Sequence, residues 1–491
     1  MPPDDQPPAH LAVDRPARRR RPFVGLAWLV ILAICGFKVA DVVITSLGLA
    51  DTGTQDAGPA VSLNAGLLGK VLVGGVALSP GSEELFMGQA SAYKETGPGD
   101  RLGYIILALE LSGPDAALAA LDDPAIVPSD LVDAGWSDDQ ARLVTLLREA
   151  VGDRAAGDLN LTALDDSERA EIEDLAGWLG RLLLHPAGGP EPSVRESMVQ
   201  GAVASVVAFM VIGGILAAGC LGGFIALIIF LVLAAGGRVR HGLSVPGQAP
   251  GGVYLEAFAV WTLIFLGMQL GLGLLNSAKL LSADLAPAAS IIGFFASLLA
   301  VGWPVVRGVP WRQVRQDIGW TTGRGMPSET VMAGLGGYSM VLPIAGAGLI
   351  LVVLLVQLQQ YLLPDAPPPS HPAQQMASSG NWMVIAQLYV IACLAAPVVE
   401  ETMFRGILFR YFRDATSRLG VVSGFLASAV ATSLLFAAIH PQGLAAIPAL
   451  MGLAIGFCLL REWRGSLLGP MVAHGVNNFL IISLNVVLFG A

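Results

Sequence analysis

Apolar stretches of about 20 residues recur along this 491-residue chain, at roughly 23–50, 200–235, 253–278, 287–306, 330–359, 382–412, 421–440, 443–460 and 467–489. That length is what an α-helix needs to cross the hydrocarbon of a bilayer. Lipid leaves a backbone two ways to satisfy its own polar groups, the helix and the closed barrel. The stretches are apolar throughout and do not alternate, which selects the helix. Charged residues make up 13% of the chain and hydrophobic ones 54%, whereas soluble domains are about a quarter charged. The fold class expected is all-α: a polytopic α-helical membrane protein with about nine spans.

The formal charge of −10 is unevenly spread. Residues 51–200 hold 25 of the 38 acidic side chains and 9 of the 28 basic ones, a net −16, leaving +6 elsewhere. An acidic block within a mildly basic membrane protein marks an extramembrane domain and gives no surface for nucleic acid. Inside it, apolar residues recur at helical spacing over 141–148 and 172–179. Ser137 with Gln140, and Asp165 with Glu168, have the capping-box spacing that opens a helix. We read 51–198 as an acidic helical extracytoplasmic domain, a lid or docking module without recognisable chemistry. The four cysteines (35, 220, 393 and 458) stand singly in apolar segments, which suggests neither a disulfide framework nor a thiolate metal site.

The remaining blocks follow from composition. Residues 1–22 are Pro-rich and end in Arg18–Arg21, a disordered tail with a positive flank. Residues 23–50 read as a transmembrane anchor, longer than the apolar core of a cleaved signal. Residues 199–360 hold four spans, 361–380 form a Pro-rich external linker, and 381–491 hold the last four spans. Arg238, Arg240, Arg307, Arg312, Arg315, Arg324, Arg410, Arg413, Arg418, Arg461 and Arg464 fall in one set of loops; the opposite loops, near Lys279 and across 361–380, carry one Lys and no Arg. The positive-inside rule then puts the N-terminus in the cytoplasm, and 51–198 and the C-terminus outside it; the external domain suggests a cell-envelope setting, hence the cell (inner) membrane.

Chemistry is concentrated in the last block. Glu400 and Glu401, with Arg405, follow an apolar run where charge is costly and so points to function. Of six histidines, two lie within long apolar segments: His440, after Phe436, and His474, followed by Asn478. Neighbouring helical residues diverge by about 100°, so the two glutamates face different ways. Glu401 and Arg405 are spaced to pair, which frees Glu400 to face a polar cavity as a general base. His474 and Asn478 share one side of the last helix and suit a carbonyl or a developing oxyanion. His440 can share a water with Glu400. Glu400, His440 and His474 also form a possible metal set, zinc being the natural ion, although no HExxH spacing is present and metal dependence stays open.

The ordered set Glu400-Glu401-x-x-x-Arg405, Phe436-x-x-x-His440 and His474-x-x-x-Asn478 resembles the three motifs of the CPBP (Abi) family, which includes the type II CAAX prenyl endopeptidases. The phrases Phe404-Arg405-Gly406, Leu434-Leu435-Phe436-Ala437 and Gly465-Ser466-Leu467-Leu468 match as well, so the likeness covers about 380–490. It implies a CAAX-protease-like intramembrane endopeptidase, of glutamic or metallo type, acting on membrane-associated peptides or proteins. By the resemblance, Glu400 and His440 activate water, His474 and Asn478 stabilise the oxyanion, and Glu401, Arg405 and Phe436 support them. Two other readings compete: a non-catalytic immunity or scaffold protein, and a proton-coupled transporter.

The site also poses a problem of depth. At 1.5 Å per residue, Glu400 lies about 20 Å along its helix from the Asp414–Gly420 turn, and His440 nearer 30 Å. His474 lies much closer to that end of its own span. Kinks at Pro397 and Pro441, or helix tilt, are needed to bring the three together.

Overall fold

The computed structural model describes residues 23–46, 60–238, 251–282, 285–323, 325–362, 376, 381–440 and 442–489. The N-terminal tail, most of the Pro-rich linker and Pro441 lie outside the described residues. Among those described, every regular element is helical. In chain order they are α1 (Val24–Ser46), α2 (Leu63–Leu78), α3 (Glu83–Ala90), α4 (Pro98–Ser112), α5 (Pro114–Asp122), α6 (Asp138–Ala155), α7 (Asp166–Leu184), α8 (Pro192–Ala235), α9 (Gly251–Ser277), α10 (Ala286–Ser297), α11 (Trp303–Val306), α12 (Trp311–Ile318) and α13 (Pro327–Leu362). The next span is composite: α14 (Trp382–Val390), a π-helical turn (Ile391–Ala395), α15 (Ala396–Glu400), a π-helical segment (Glu401–Leu408) and α16 (Phe409–Ala415). The chain closes with α17 (Val421–Ala438), α18 (Ile447–Arg464) and α19 (Leu468–Phe489). Among the described residues nine helices are long and apolar enough to cross a membrane, in agreement with the nine-span, all-α reading.

Between α1 and α8 none of the helices meets that criterion; α2 is apolar but short. Helices α2–α7 instead share a core that includes Leu102, Ile105, Leu143, Leu147, Leu179 and Leu183. Both capping boxes form: Ser137 accepts from the Gln140 amide, Asp165 from that of Glu168, and each partner side chain reaches back to the cap amide. Helix α8 joins this layer to the spans. Its 44 residues run about 66 Å, twice the hydrocarbon thickness. Met198 lies in the α2–α7 core, and Arg195 meets Glu110 at 2.7 Å, where Arg154 also binds. The boundary expected near residue 198 therefore falls inside a continuous helix.

Small residues set how closely the spans pack. With no hydrophobic drive between helices in lipid, contact comes from close backbone approach. Helices α13 and α18 achieve it at Gly348, where a Cβ would lie 2.3 Å from the Pro448 carbonyl oxygen, and at Gly452, where it would lie 2.7 Å from that of Ile344. Gly456, one turn beyond Gly452, packs on Val341 in the same way. Helix α1 is also no detached anchor: Ala27, Ile31 and Cys35 share a core with α9 and with Val399, Met403, Phe404 and Ile407. Trp28 Nε1 donates to the Tyr411 hydroxyl at 3.0 Å, tying the first span to the far end of the composite one.

Gly452→Leu drives a side chain into the α13 backbone. Overpacking of this kind costs about 1–3 kcal/mol, so its thermal midpoint in detergent falls by several degrees. Gly271→Leu, at a glycine with nothing within 4 Å of its Cβ position, melts like the parent.

Candidate active site

The composite span Trp382–Ala415 positions the site because it is not a regular α-helix. Proline lacks an N–H and breaks the ladder to the preceding turn. Pro397 follows the π-helical turn Ile391–Ala395, and π-turns are characteristic of functional sites. One carbonyl released there, that of Ala392, accepts a hydrogen bond from Asn478 Nδ2 at 2.7 Å. Helix α19 can come this close because of Gly475, where a Cβ would stand 2.8 Å from the Cys393 carbonyl oxygen. The second π-helical segment, Glu401–Leu408, is buried along its whole length. Thr402 is pinned within it, its hydroxyl donating to the Val398 carbonyl at 2.7 Å and accepting from Trp320 Nε1 at 3.0 Å.

The two glutamates divide as their angular offset predicts. Glu401 turns inward and is fully buried with Arg405; Arg405 Nη1 lies 2.9 Å from Glu401 Oε1. The guanidinium is covered by Phe436 and Phe457, whose ring centroids stand 4.5 and 5.3 Å away. The same Glu401 oxygen receives His474 Nδ1 at 2.8 Å. Glu400, one residue earlier, faces a different space with its side chain 16% exposed; its Oε2 lies 3.9 Å from His440 Nε2 and 4.0 Å from His474 Nε2. The depth problem is thus resolved. The π-helical turns and the end of α17 bring Glu400, His440 and His474 to one point.

Hydrogen bonds assign the tautomers. His440 Nδ1 lies 2.6 Å from the Phe436 carbonyl oxygen, which can only accept, so Nδ1 carries the proton. His474 Nδ1 lies 2.8 Å from the Glu401 carboxylate oxygen that Arg405 also meets, so it donates too. In their neutral forms both imidazoles therefore turn a bare Nε2 toward Glu400. Three acceptors surround one space at separations too long for a direct hydrogen bond. Two acceptors sharing one water stand about 4.5 Å apart at ordinary bond lengths, so the space suits a bridging donor.

The other expected residues are placed as follows. Phe436 lies against His440, ring centroids 4.1 Å apart, and beside Arg405. Asn478 is near the cluster, but one of its amide hydrogens goes to Ala392, and its Oδ1 accepts from Asn477 Nδ2 at 3.1 Å. Its second amide hydrogen remains. Sequence reasoning missed Phe457, which stacks on His474 at 5.1 Å, and Tyr338, whose hydroxyl donates to Asn477 Oδ1 at 3.3 Å. Neither carries a local signal, because each acts through a partner on another helix. A carboxylate and two imidazole nitrogens are a donor set suited to zinc. As spaced here they do not close on an ion: no group of three or more His, Cys, Asp or Glu among the described residues could hold a metal.

Removing one partner of a buried ion pair leaves an uncompensated charge, at a cost of about 3–5 kcal/mol. Glu401→Leu should lower stability in detergent by that order. Glu400→Gln, at a partly exposed side chain outside the pair, should stay within about 1 kcal/mol of the parent. Equal losses in the two unfolding curves would contradict this division of roles.

No curated protein and no solved structure matches the chain. A family model does: the one described as Type II CAAX prenyl endopeptidase Rce1-like matches residues 382–480, about a fifth of the chain. That stretch supplies Glu400, Glu401, Arg405, Phe436, His440, His474 and Asn478 alike. Residues 382–480 thus carry an Rce1-like domain, which puts this part of the chain with the CAAX-protease-like intramembrane endopeptidases.

Proposed function

We propose that the protein hydrolyses peptide bonds of membrane-associated substrates with a water activated by Glu400 and His440. One observation carries the reading: a carboxylate and two bare imidazole nitrogens converge within 4.0 Å, inside the matched stretch, at a partly exposed point of an otherwise apolar span. Water bridging Glu400 and His440 gives up a proton to the carboxylate as its oxygen attacks the scissile carbonyl. The protonated Glu400 then delivers that proton to the leaving amine. The oxyanion is met by the second amide hydrogen of Asn478 and by an Nε2–H of His474, a proton that this imidazole takes from solvent before the cycle and keeps throughout it. Glu401 and Arg405 act behind His474: the carboxylate fixes which imidazole nitrogen faces the water, and the guanidinium holds that carboxylate in place. A zinc ion would supply the same activated water only if Glu400, His440 and His474 closed in from the spacing they have here.

Substrates on this reading are membrane-associated peptides or proteins. The setting we infer is the cell (inner) membrane, with the N-terminus cytoplasmic and the α2–α7 layer outside, on the distribution of arginines between loops. Single cysteines introduced at Asp138 and Arg418 in a variant lacking the native four should then react with an impermeant maleimide only from outside and only after lysis, respectively.

Loss of a general base removes about 10²–10⁴ in rate. New protein N-termini present in cells making the parent should therefore be missing in cells making Glu400→Gln at matched levels. Cleavage by purified protein should persist after exhaustive chelation, whereas the zinc alternative predicts its loss and recovery on adding zinc. Identical N-terminal profiles, with both proteins folded, would move the assignment to a non-catalytic scaffold.

A further inference from the structure

Asn478 meets the oxyanion on the reading above, yet an asparagine amide has little aim of its own, because rotation about its last side-chain bond is broad. The structure fixes this one at both ends. One amide hydrogen goes to the Ala392 carbonyl oxygen at 2.7 Å, and Oδ1 accepts from Asn477 Nδ2 at 3.1 Å. Asn477 Oδ1 in turn accepts from the Tyr338 hydroxyl at 3.3 Å. The row can run in one direction only. A backbone carbonyl accepts, so Asn478 turns its nitrogen to Ala392 and its oxygen to Asn477. That oxygen needs a donor, so Asn477 presents Nδ2, which leaves its own Oδ1 for a hydroxyl that donates.

Tyr338 lies on α13, outside the matched stretch, and its ring is held firmly. It is buried in one core with Val341, Phe457, Leu460 and Ala473, and Phe457 is the ring that stacks on His474. One turn before Tyr338, Gly334 brings α13 onto α19: a Cβ there would stand 2.7 Å from the Gly469 carbonyl oxygen. We propose that Tyr338 is a positioning residue for the hydrolysis. Through Asn477 it sets the plane of the Asn478 amide, and so the direction in which the second N–H meets the oxyanion. This role rests on the peptidase reading and extends the machinery beyond the matched stretch. Without the hydroxyl, nothing in the row holds the Asn477 oxygen, its amide can turn over, and Asn478 loses its fixed plane. A donor already aimed needs no reorganisation as charge develops, so its loss falls on kcat and leaves KM.

Full-length protein labelled with 15N-asparagine, in nanodiscs, reports on the Asn478 side chain by NMR. Its signals, among those of seven asparagines, are the ones absent from Asn478→Ala. In Tyr338→Phe they should shift, and the hydrogen bonded to Ala392 should exchange about tenfold faster. Turnover is read on a peptide spanning a cleavage site mapped by the N-terminal comparison. Removing an oxyanion donor costs about 10²–10³ in kcat, so one present but unaimed should cost about tenfold, with KM unchanged. Added to Asn478→Ala, Tyr338→Phe should change kcat by no more than about twofold, because no amide is left to aim. Asn477→Ala cuts the row in the middle and serves as the second variant, with the same loss and the same dependence on Asn478, should Tyr338→Phe fail to elute as a folded species. Unmoved Asn478 signals, or an equal loss of kcat with and without Asn478, would mean that Tyr338 only ties α13 to α19, and would overturn the proposal. That failure leaves the peptidase reading standing. The reading itself is judged by Glu400→Gln: if that variant leaves every N-terminus in place, the reading falls and takes the role of Tyr338 with it, whatever the Asn478 signals do.

Discussion

The arrangement of the site depends on a guanidinium buried in the membrane-spanning part of the molecule. Arg405 is fully enclosed and has Glu401 as its ionic partner within the same helical segment. A charge in such surroundings is tolerated only when paired and covered, and Phe436 and Phe457 supply the cover through the faces of their rings. The same two rings pack on His440 and His474 respectively. Enclosing the arginine and orienting the histidines are therefore one construction. Glu401 links the two, with one oxygen shared by Arg405 and by His474.

Irregular helix geometry makes that construction possible. A regular α-helix through 382–415 would present a uniform surface. The π-turn before Pro397 gives up a carbonyl to Asn478, and the glycine at 475 lets α19 move in to meet it. Backbone irregularity at membrane depth is tolerated where protein covers it, and here the last helix provides the cover. The same principle of close approach governs α13 and α18, whose glycines bring the backbones together and set the position of Phe457.

The Rce1-like stretch does not stand alone. Its buried face is completed by α1 and α9, from the first and third spans, and Trp28, Phe258 and Trp261 pack directly on its residues. The α2–α7 layer is joined to the spans through α8, and Ser205 of α8 donates to the Val487 carbonyl near the end of α19.

Much of this was legible in the residues alone. Apolar runs of spanning length set the number of spans, because hydrocarbon thickness and helix rise leave little freedom. The Ser137 and Asp165 capping boxes were local, and so was the opposed facing of Glu400 and Glu401, which follows from helix geometry. The pairing of Glu401 with Arg405 needed only their spacing. The remainder lay in contacts between segments far apart in the chain. Spacing placed Glu400 and His440 at different depths, and nothing in the sequence marks a π-turn, which alters register without altering hydropathy. The use of an Asn478 hydrogen by Ala392, the stacking of Phe457 and the entry of α1 into the core have no periodic signature. By itself the sequence determined which groups are present and how they face along each helix; only the tertiary structure decided which of them meet, because a buried polar group is satisfied by whichever partner the packing brings within reach.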